Sequence, residues 1–517
     1  MSASRGRALG VSTLNLASKG LAIAKTMLIS ALFGASASLD AFWVAYSLPT
    51  LLPAVLTTVI TVAFVPRFMS SLEGRSGPEA WRGANTLFTL VMLVSVVAAA
   101  LMSLYAPALV RGLAPGLAEA THAEAVRLTR LLMPCVPLLT CNALLSAISN
   151  ARERFFLPAL EGVFTNLVII GCALLLARQW GTEALVIGVI GGFVLQAASL
   201  LWGNRDLLRS SLRPALAPRH PDFLKPLAHL LPLLVGALGS TLTALVNQYF
   251  LSGSGEGAIS LMAYALMFAF LPVEVFAQAV LTAYYPALGR GFAAHDLQAA
   301  AASYAEGLRF LLLLLLPSAL LLGAFAEPLM LLLLERGAFG AEQTRATAVL
   351  VQVLSAALVL RGWAYFNYRV LHAAQRPWLQ VAIGLLGVAT HAGLCALWVR
   401  SHGAVGVALA TVASMLQSLL LSQWAALVSL RMREGFGLPR ELGQLGLLSL
   451  LMALLCALAL HLLGPLPASG RIGAALHHLA AAAAIGLLVL ITARLLRQPD
   501  VLALEERLRG RAGQRAR

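Results

Sequence analysis

Charge is scarce in this sequence. Only 11% of its 517 residues are Asp, Glu, Lys or Arg, and lysine occurs just three times. A chain so poor in charge cannot maintain a water-soluble surface, which excludes soluble globular proteins of any class. Cysteine is scarce as well. Cys135, Cys141, Cys172, Cys395 and Cys456 are odd in number, lie inside apolar runs and show no CxxC or CxxH spacing, so they read as packing residues. GxSxG, Walker A and HExxH are all missing, and His477 and His478 stand without paired acids. No catalytic residues, metal site or cofactor are therefore expected, and the chain does not read as an enzyme.

What is present is apolar length. The chain is 59% hydrophobic with a mean hydropathy of +0.84. Runs of roughly 20 apolar residues recur from end to end, each able to cross a hydrocarbon core of about 30 Å as a helix. The N-terminal MSASRGRALG lacks the apolar core and cleavage site of a secretory signal, so the first helix is expected to stay. Breaking the chain at turn residues and charge clusters predicts an all-α polytopic membrane protein with about fourteen spans, from one beginning near Gly10 to one beginning near Gly473.

The formal charge of +15 is distributed by topology. With the N-terminus inside, alternate loops collect Arg67, Arg75, Arg82, Arg152, Arg154, Arg205 and many more, while the opposite loops hold only Arg111, Arg178, Arg336, Arg345, Arg400 and Arg471. That bias is expected to put both termini on the cytoplasmic side. The basic tail reads as attracted to anionic lipid, and no nucleic-acid partner is expected.

A repeat is also visible. CALLLARQWGTEALVIGVIGGFVLQAASLLW from Cys172 is similar to CALWVRSHGAVGVALATVASMLQSLLLSQW from Cys395, each reading as helix, Gly-containing turn, helix. Six spans separate the copies, the parallel kind of repeat that rocks about a central cavity. The expected organisation is an N-lobe at 1–203, a basic linker at 204–223, a C-lobe at 224–432, a C-terminal helix pair at 433–497 and a basic tail at 498–517.

Two of the three lysines, Lys19 and Lys25, sit in the first apolar helix. A lysine near mid-membrane costs about 2.5–3.5 kcal/mol, and each lies too far from a helix end to snorkel easily. Separated by roughly 9 Å along the axis and about 120° around it, they can line adjoining sides of one wide polar cavity. Asn15, Ser18, Ser30 and Gly20 keep the same helix lean and partly polar. Compact ammonium groups suit phosphate oxygens, so Lys19, Lys25, Asn15 and Ser18 are candidate substrate-binding residues. Asp40 opens the second helix, where it can cap that helix, and it is a candidate both for substrate binding and for holding a coupling ion. Glu274 and Arg361 are further intramembrane charges, Glu274 being a candidate coupling-ion or proton site and Arg361 a candidate substrate contact.

Several blocks are similar to a known family. FGASASLDAFWVAYSLPTLLP, AFVPRF, RERFFLPALEGVFTNLVIIG and LLLLERGAFGAEQT occur in the order found in the MurJ (MviN) lipid II flippases of the multidrug/oligosaccharidyl-lipid/polysaccharide exporter superfamily. The resemblance implies two lobes of six helices around a central cavity, two additional C-terminal helices forming a groove for a lipid tail, and alternating access. It implies a lipid-linked glycan pyrophosphate as substrate, lipid II first among them, with membrane lipids and cell-wall synthesis proteins as partners. In that family two arginines stand at the places of Lys19 and Lys25, and Asp40 falls on the family's acidic residue. The second helix departs from the family pattern, since Leu51–Phe64 carries no charge, and so does YALMFAFLP from Tyr264 to Pro272. Another polyprenyl-linked oligosaccharide and a non-transporting scaffold of envelope synthesis are the alternative readings.

Overall fold

The computed structural model describes residues 2–60, 64–65, 68–69, 77–210, 241–431, 438–467 and 470–495. Among them there are helices and connecting turns and no strands, the outcome that lipid imposes on a chain whose backbone groups must be satisfied within each span. The long helices are α1 (Ser2–Phe33), α2 (Ala37–Val59), α3 (Gly77–Leu104), α4 (Glu119–Leu132), α5 (Cys135–Ala151), α6 (Glu161–Trp180) and α7 (Glu183–Gly203). They continue with α8 (Ala258–Ala293), α9 (Leu297–Ala324), α10 (Ala341–Ala373), α11 (Pro377–Leu430), α12 (Leu438–Leu463) and α13 (Arg471–Leu495).

Among the described residues eleven helices are long and apolar enough to cross a membrane, twelve if the α4–α5 pair, bent by 40°, forms one span. The 54 residues of α11 amount to about 80 Å of helix, more than twice the hydrocarbon thickness. Gly403, near its middle, leaves helical geometry at φ 54°, so α11 is two passes joined at the Gly-containing turn expected from the repeat. Of the expected seventh span only the part from 241 onward is described, and it is helical over 241–251. The expectation of about fourteen spans agrees with this architecture. Residues 211–223 of the expected linker and the whole tail at 498–517 lie outside the described residues.

The chain forms two compact units, one of Met1–Ser260 with Arg336–Phe339, the other of Leu261–Glu335 with Gly340–Arg517. In the first unit, small residues let helices approach closely. A Cβ on Gly188 would lie 2.8 Å from the Ile169 Cα and one on Gly192 2.7 Å from the Thr165 Cα, so α7 lies directly on α6. Buried Asn204 donates to Ser149 and to the Leu200 carbonyl, and accepts from Arg152, tying α5 to the end of α7. Outside the membrane spans, Arg152 also pairs with Asp206, holding that carboxyl well below the usual range.

The second unit is organised by a buried polar network. The Tyr304 hydroxyl lies 2.8 Å from Asn367 Oδ1 and 2.9 Å from Gln423 Oε1, and the latter also accepts from Trp363 Nε1 at 2.7 Å. Amides between helices stabilise by about 0.6 kcal/mol each, so this network's main effect is to fix α9, α10 and α11 in one register. Arg471 at the start of α13 pairs with Glu335 and lies 3.6 Å from Glu327, which Arg345 also approaches. Exposed leucines such as Leu174, Leu175 and Leu397 face outward, as the lipid-facing surface of a membrane protein requires.

Candidate functional site

The polar residues of α1 are held against α6. Asn166, buried on α6, donates to the Ser18 carbonyl at 3.2 Å. Gly162 lies beside the Ser18 hydroxyl, where a side chain would collide. Further along, Thr26 donates to the Ala22 carbonyl and Ser30 to that of Met27, so these hydroxyls are absorbed by the helix itself. Asn15 is exposed, and Ser18, Lys19 and Lys25 are half-buried. Lys25 stands seven residues beyond Ser18 and hence within about 20° of the same helix face.

The two lysines differ in one respect that matters chemically. Lys19 interacts within the protein. The Lys25 ammonium makes no hydrogen bond or ion pair with any described residue. An ammonium inside a span, half-buried and without a carboxylate, is the group most in need of an external anion.

Asp40 is buried and fully engaged. Its Oδ2 accepts from the Gly257 N–H at 2.8 Å, and its Oδ1 accepts from the Ser260 N–H at 2.8 Å and the Ser260 hydroxyl at 2.6 Å. It therefore caps the first turn of α8 from a distance of 217 residues, while its own helix is capped by Ser36. Gly257 can meet it because at φ +79° it packs on the Ala35 carbonyl, a conformation and approach open only to glycine.

In the second unit, α8 and α10 present Glu274 and Arg361, both exposed. The Arg361 guanidinium lies over the Phe270 ring at 4.4 Å, with Glu274 within electrostatic reach. The sequence brought out the charges here but not their aromatic partner. A separate, partly open apolar cavity of about 220 Å³ is lined by residues of α8, α9, α12 and α13, with Leu312, Pro317, Leu445, Met452 and Val489 among its walls. Of the residues expected at the site, Asn15, Ser18, Lys19 and Lys25 share α1, Asp40 belongs to the cap of α8, and Glu274 and Arg361 adjoin each other on α8 and α10.

Many apolar helices long enough to cross a membrane, cations within them and no strand among the described residues define a multi-pass membrane protein. In structure it is similar to a lipid II flippase MurJ in an inward closed conformation, with a TM-score of 0.79 at 21% identity over 94% of this chain and 99% of that one. An inward-facing multidrug transporter of the MATE family shares the fold at a TM-score of 0.66 and 13% identity, over 83% of this chain and 100% of that one. The sequence profile of the family described as "Lipid II flippase MurJ" matches residues 29–467, and the chain belongs to that family. Its relatives include the lipid II flippase MurJ of Burkholderia cenocepacia, 30% identical over 64% of this chain and 66% of that protein. A probable lipid II flippase MurJ of Rhizobium tropici is 30% identical over 64% and 63%, and one of Vibrio cholerae 25% identical over 80% of each. The chain thus spans just under two thirds of the length of the first two curated relatives.

Proposed function

We propose that this protein is a flippase for a polyprenyl-pyrophosphate-linked glycan, lipid II first, moving it from the inner to the outer leaflet of a bacterial cytoplasmic membrane. The observation that carries this reading is Lys25, a cation inside the span of a MurJ-family chain with no described counterion. A pyrophosphate in hydrocarbon costs on the order of tens of kcal/mol before relaxation, and an unpaired ammonium there costs about 2.5–3.5 kcal/mol. Bringing them together offsets both penalties.

In this reading the basic loops keep both termini in the cytoplasm, and the lobes expected at 1–203 and 224–432 alternate access. Lys25 and Lys19 hold the pyrophosphate, with Asn15 and Ser18 at its edge, and Arg361, in the second unit, is a substrate contact of its own. The tail stays in apolar surroundings, for which the cavity beside α12 and α13 is suited. Glu274, exposed beside Arg361, is the coupling-ion candidate. Asp40 acts by fixing the start of α8, its oxygens already being occupied. The membrane potential can bias the return, since one unit charge crossing 100 mV is worth about 2.3 kcal/mol.

The test is replacement of the native lipid II flippase in a depleted bacterium, comparing the intact chain with Lys19→Ala/Lys25→Ala at matched membrane levels. Rescue by the intact chain alone supports lipid II flipping. Equal rescue by both overturns the role of the lysines. No rescue by well-inserted intact protein rejects lipid II and directs the assay to other polyprenyl-linked oligosaccharides.

A further inference from the structure

Below Arg361 the facing stripes of α8 and α10 continue as a ladder of polar and aromatic side chains. Tyr365 and Arg369 follow Arg361 at four-residue intervals on α10, and Gln278 follows Glu274 by four on α8, the spacing that stacks side chains on one helix face. Arg369 Nη2 donates to the Tyr365 hydroxyl at 2.6 Å, and its guanidinium lies 4.9 Å from the Tyr365 ring centre and 6.0 Å from that of Tyr285. Gln278 Nε2 donates to the same hydroxyl at 3.5 Å.

The hydrogen-bond inventory of this ladder is one-sided. The Tyr365 oxygen already accepts twice, so its O–H is left to donate outward. Arg369 spends one N–H on Tyr365 and makes no ion pair with a described carboxylate, unlike Arg361, which has Glu274 within reach. Gln278 and Tyr285 are exposed, and Tyr365 and Arg369 are half-buried. In a helix pair otherwise made for lipid, such a stripe is stable only against water or a polar ligand. Two tyrosine rings hold the guanidinium in place, so the fork is oriented before any ligand arrives.

We propose that Gln278, Tyr285, Tyr365 and Arg369 form a carboxylate-binding subsite for the head group, taking an acid of a peptide attached to the glycan at the Arg369 fork. The inference rests on the flippase reading above and adds to it a second contact, chemically distinct from pyrophosphate binding. The planar fork matches a carboxylate bidentately, Tyr365 O–H supplies a third donor, and the Tyr285 face is left for a sugar or peptide plane.

The experiment measures equilibrium binding to the full chain in lipid nanodiscs. The probes are lipid II, lipid II with its peptide carboxylates amidated, and undecaprenyl pyrophosphate, which has no peptide. Arg369→Gln is expected to weaken lipid II binding about tenfold, as loss of a charge-assisted bond does. It should leave undecaprenyl pyrophosphate binding unchanged, which also reports that the variant is folded. Amidation should weaken binding to the intact chain similarly, and Arg369→Lys should recover part of the loss. Unchanged lipid II binding by Arg369→Gln overturns the proposal, as does an equal loss for undecaprenyl pyrophosphate. Failure of the intact chain to bind any of the three lipids rejects the flippase reading itself and the subsite with it.

Discussion

Lys25→Met separates a cation kept for a ligand from one kept for the fold. The substitution retains an unbranched chain of similar length and removes only the ammonium. Because that ammonium has no described partner, its removal should relieve about 1–3 kcal/mol of the cost of holding a charge in a span. In the substrate-free protein the variant should therefore melt at the same or a higher temperature than the intact chain. Binding should respond in the opposite direction. A cation 4 Å from a phosphate charge is worth about 4 kcal/mol at an effective dielectric of 20. Hydration of the free groups reduces the net value to about 1.5–3 kcal/mol, or roughly a 10- to 150-fold loss of affinity for undecaprenyl pyrophosphate. Lys25→Arg should retain most of that affinity. Thermal melting and nanodisc binding of the same preparations check both halves. A variant that melts lower and binds normally refutes the reasoning, since it would make Lys25 a structural cation.

Asp40→Ala should destabilise the protein by about 1–3 kcal/mol, because the buried N–H groups of Gly257 and Ser260 lose their acceptor; a thermal melt measures it. Gly192→Leu should be worse tolerated than Gly171→Leu, since the former drives a side chain into the α6 backbone and the latter meets nothing within 4 Å, with a difference of about 1–3 kcal/mol. Arg471→Gln should leave Glu335 and Glu327 without their shared cation and loosen α13, seen as faster proteolysis or hydrogen exchange of the C-terminal helices. Asp206, whose carboxyl Arg152 holds down, stabilises the fold fully above the ordinary carboxylate range and loses that contribution as pH falls below about 4. The melting difference between intact protein and Asp206→Asn should therefore shrink on acidification, and it should be small and salt-sensitive because Asp206 is exposed.

Hydropathy and turn residues made most of the architecture legible, since each span needs its own run of apolar residues and each break its own polar or glycine turn. Gly403, inside the repeated helix–turn–helix, is such a case. The lysines of α1 were legible for a complementary reason: a charge inside an apolar run is costly enough to stand out. What composition could not reveal was partner choice. Nothing around Asp40 indicates that its acceptors serve Gly257 and Ser260, because a trans cap leaves no local period. Arg361, Tyr365 and Arg369 display their four-residue spacing openly, yet their meaning depends on Phe270, Gln278 and Tyr285 from another helix. Asn166, which anchors Ser18, resembles any interhelical amide until the contact is seen.

In the proposed flippase reading, the distribution of cation types divides the work of a transport cycle. A chain with three lysines among 37 basic residues places two of them in α1 and arginine on α10. Lysine offers a compact, strongly hydrated charge that binds phosphate oxygens without fixing their orientation, whereas arginine offers a planar fork that does fix it. A flippase must let go of what it holds, and water competes more readily for an ammonium than for a bidentate guanidinium contact. The lysines thus suit the group whose charge must be carried and released. The tyrosine-held Arg369 suits a feature that must be recognised before the cycle begins. Exchanging the types should therefore act unequally: Lys25→Arg should preserve binding and slow release, while Arg369→Lys should weaken discrimination between carboxylate and amide forms. Single-turnover flipping in proteoliposomes, measured beside equilibrium binding, resolves the two effects. Equal slowing of release by both exchanges would show that cation type carries no such division.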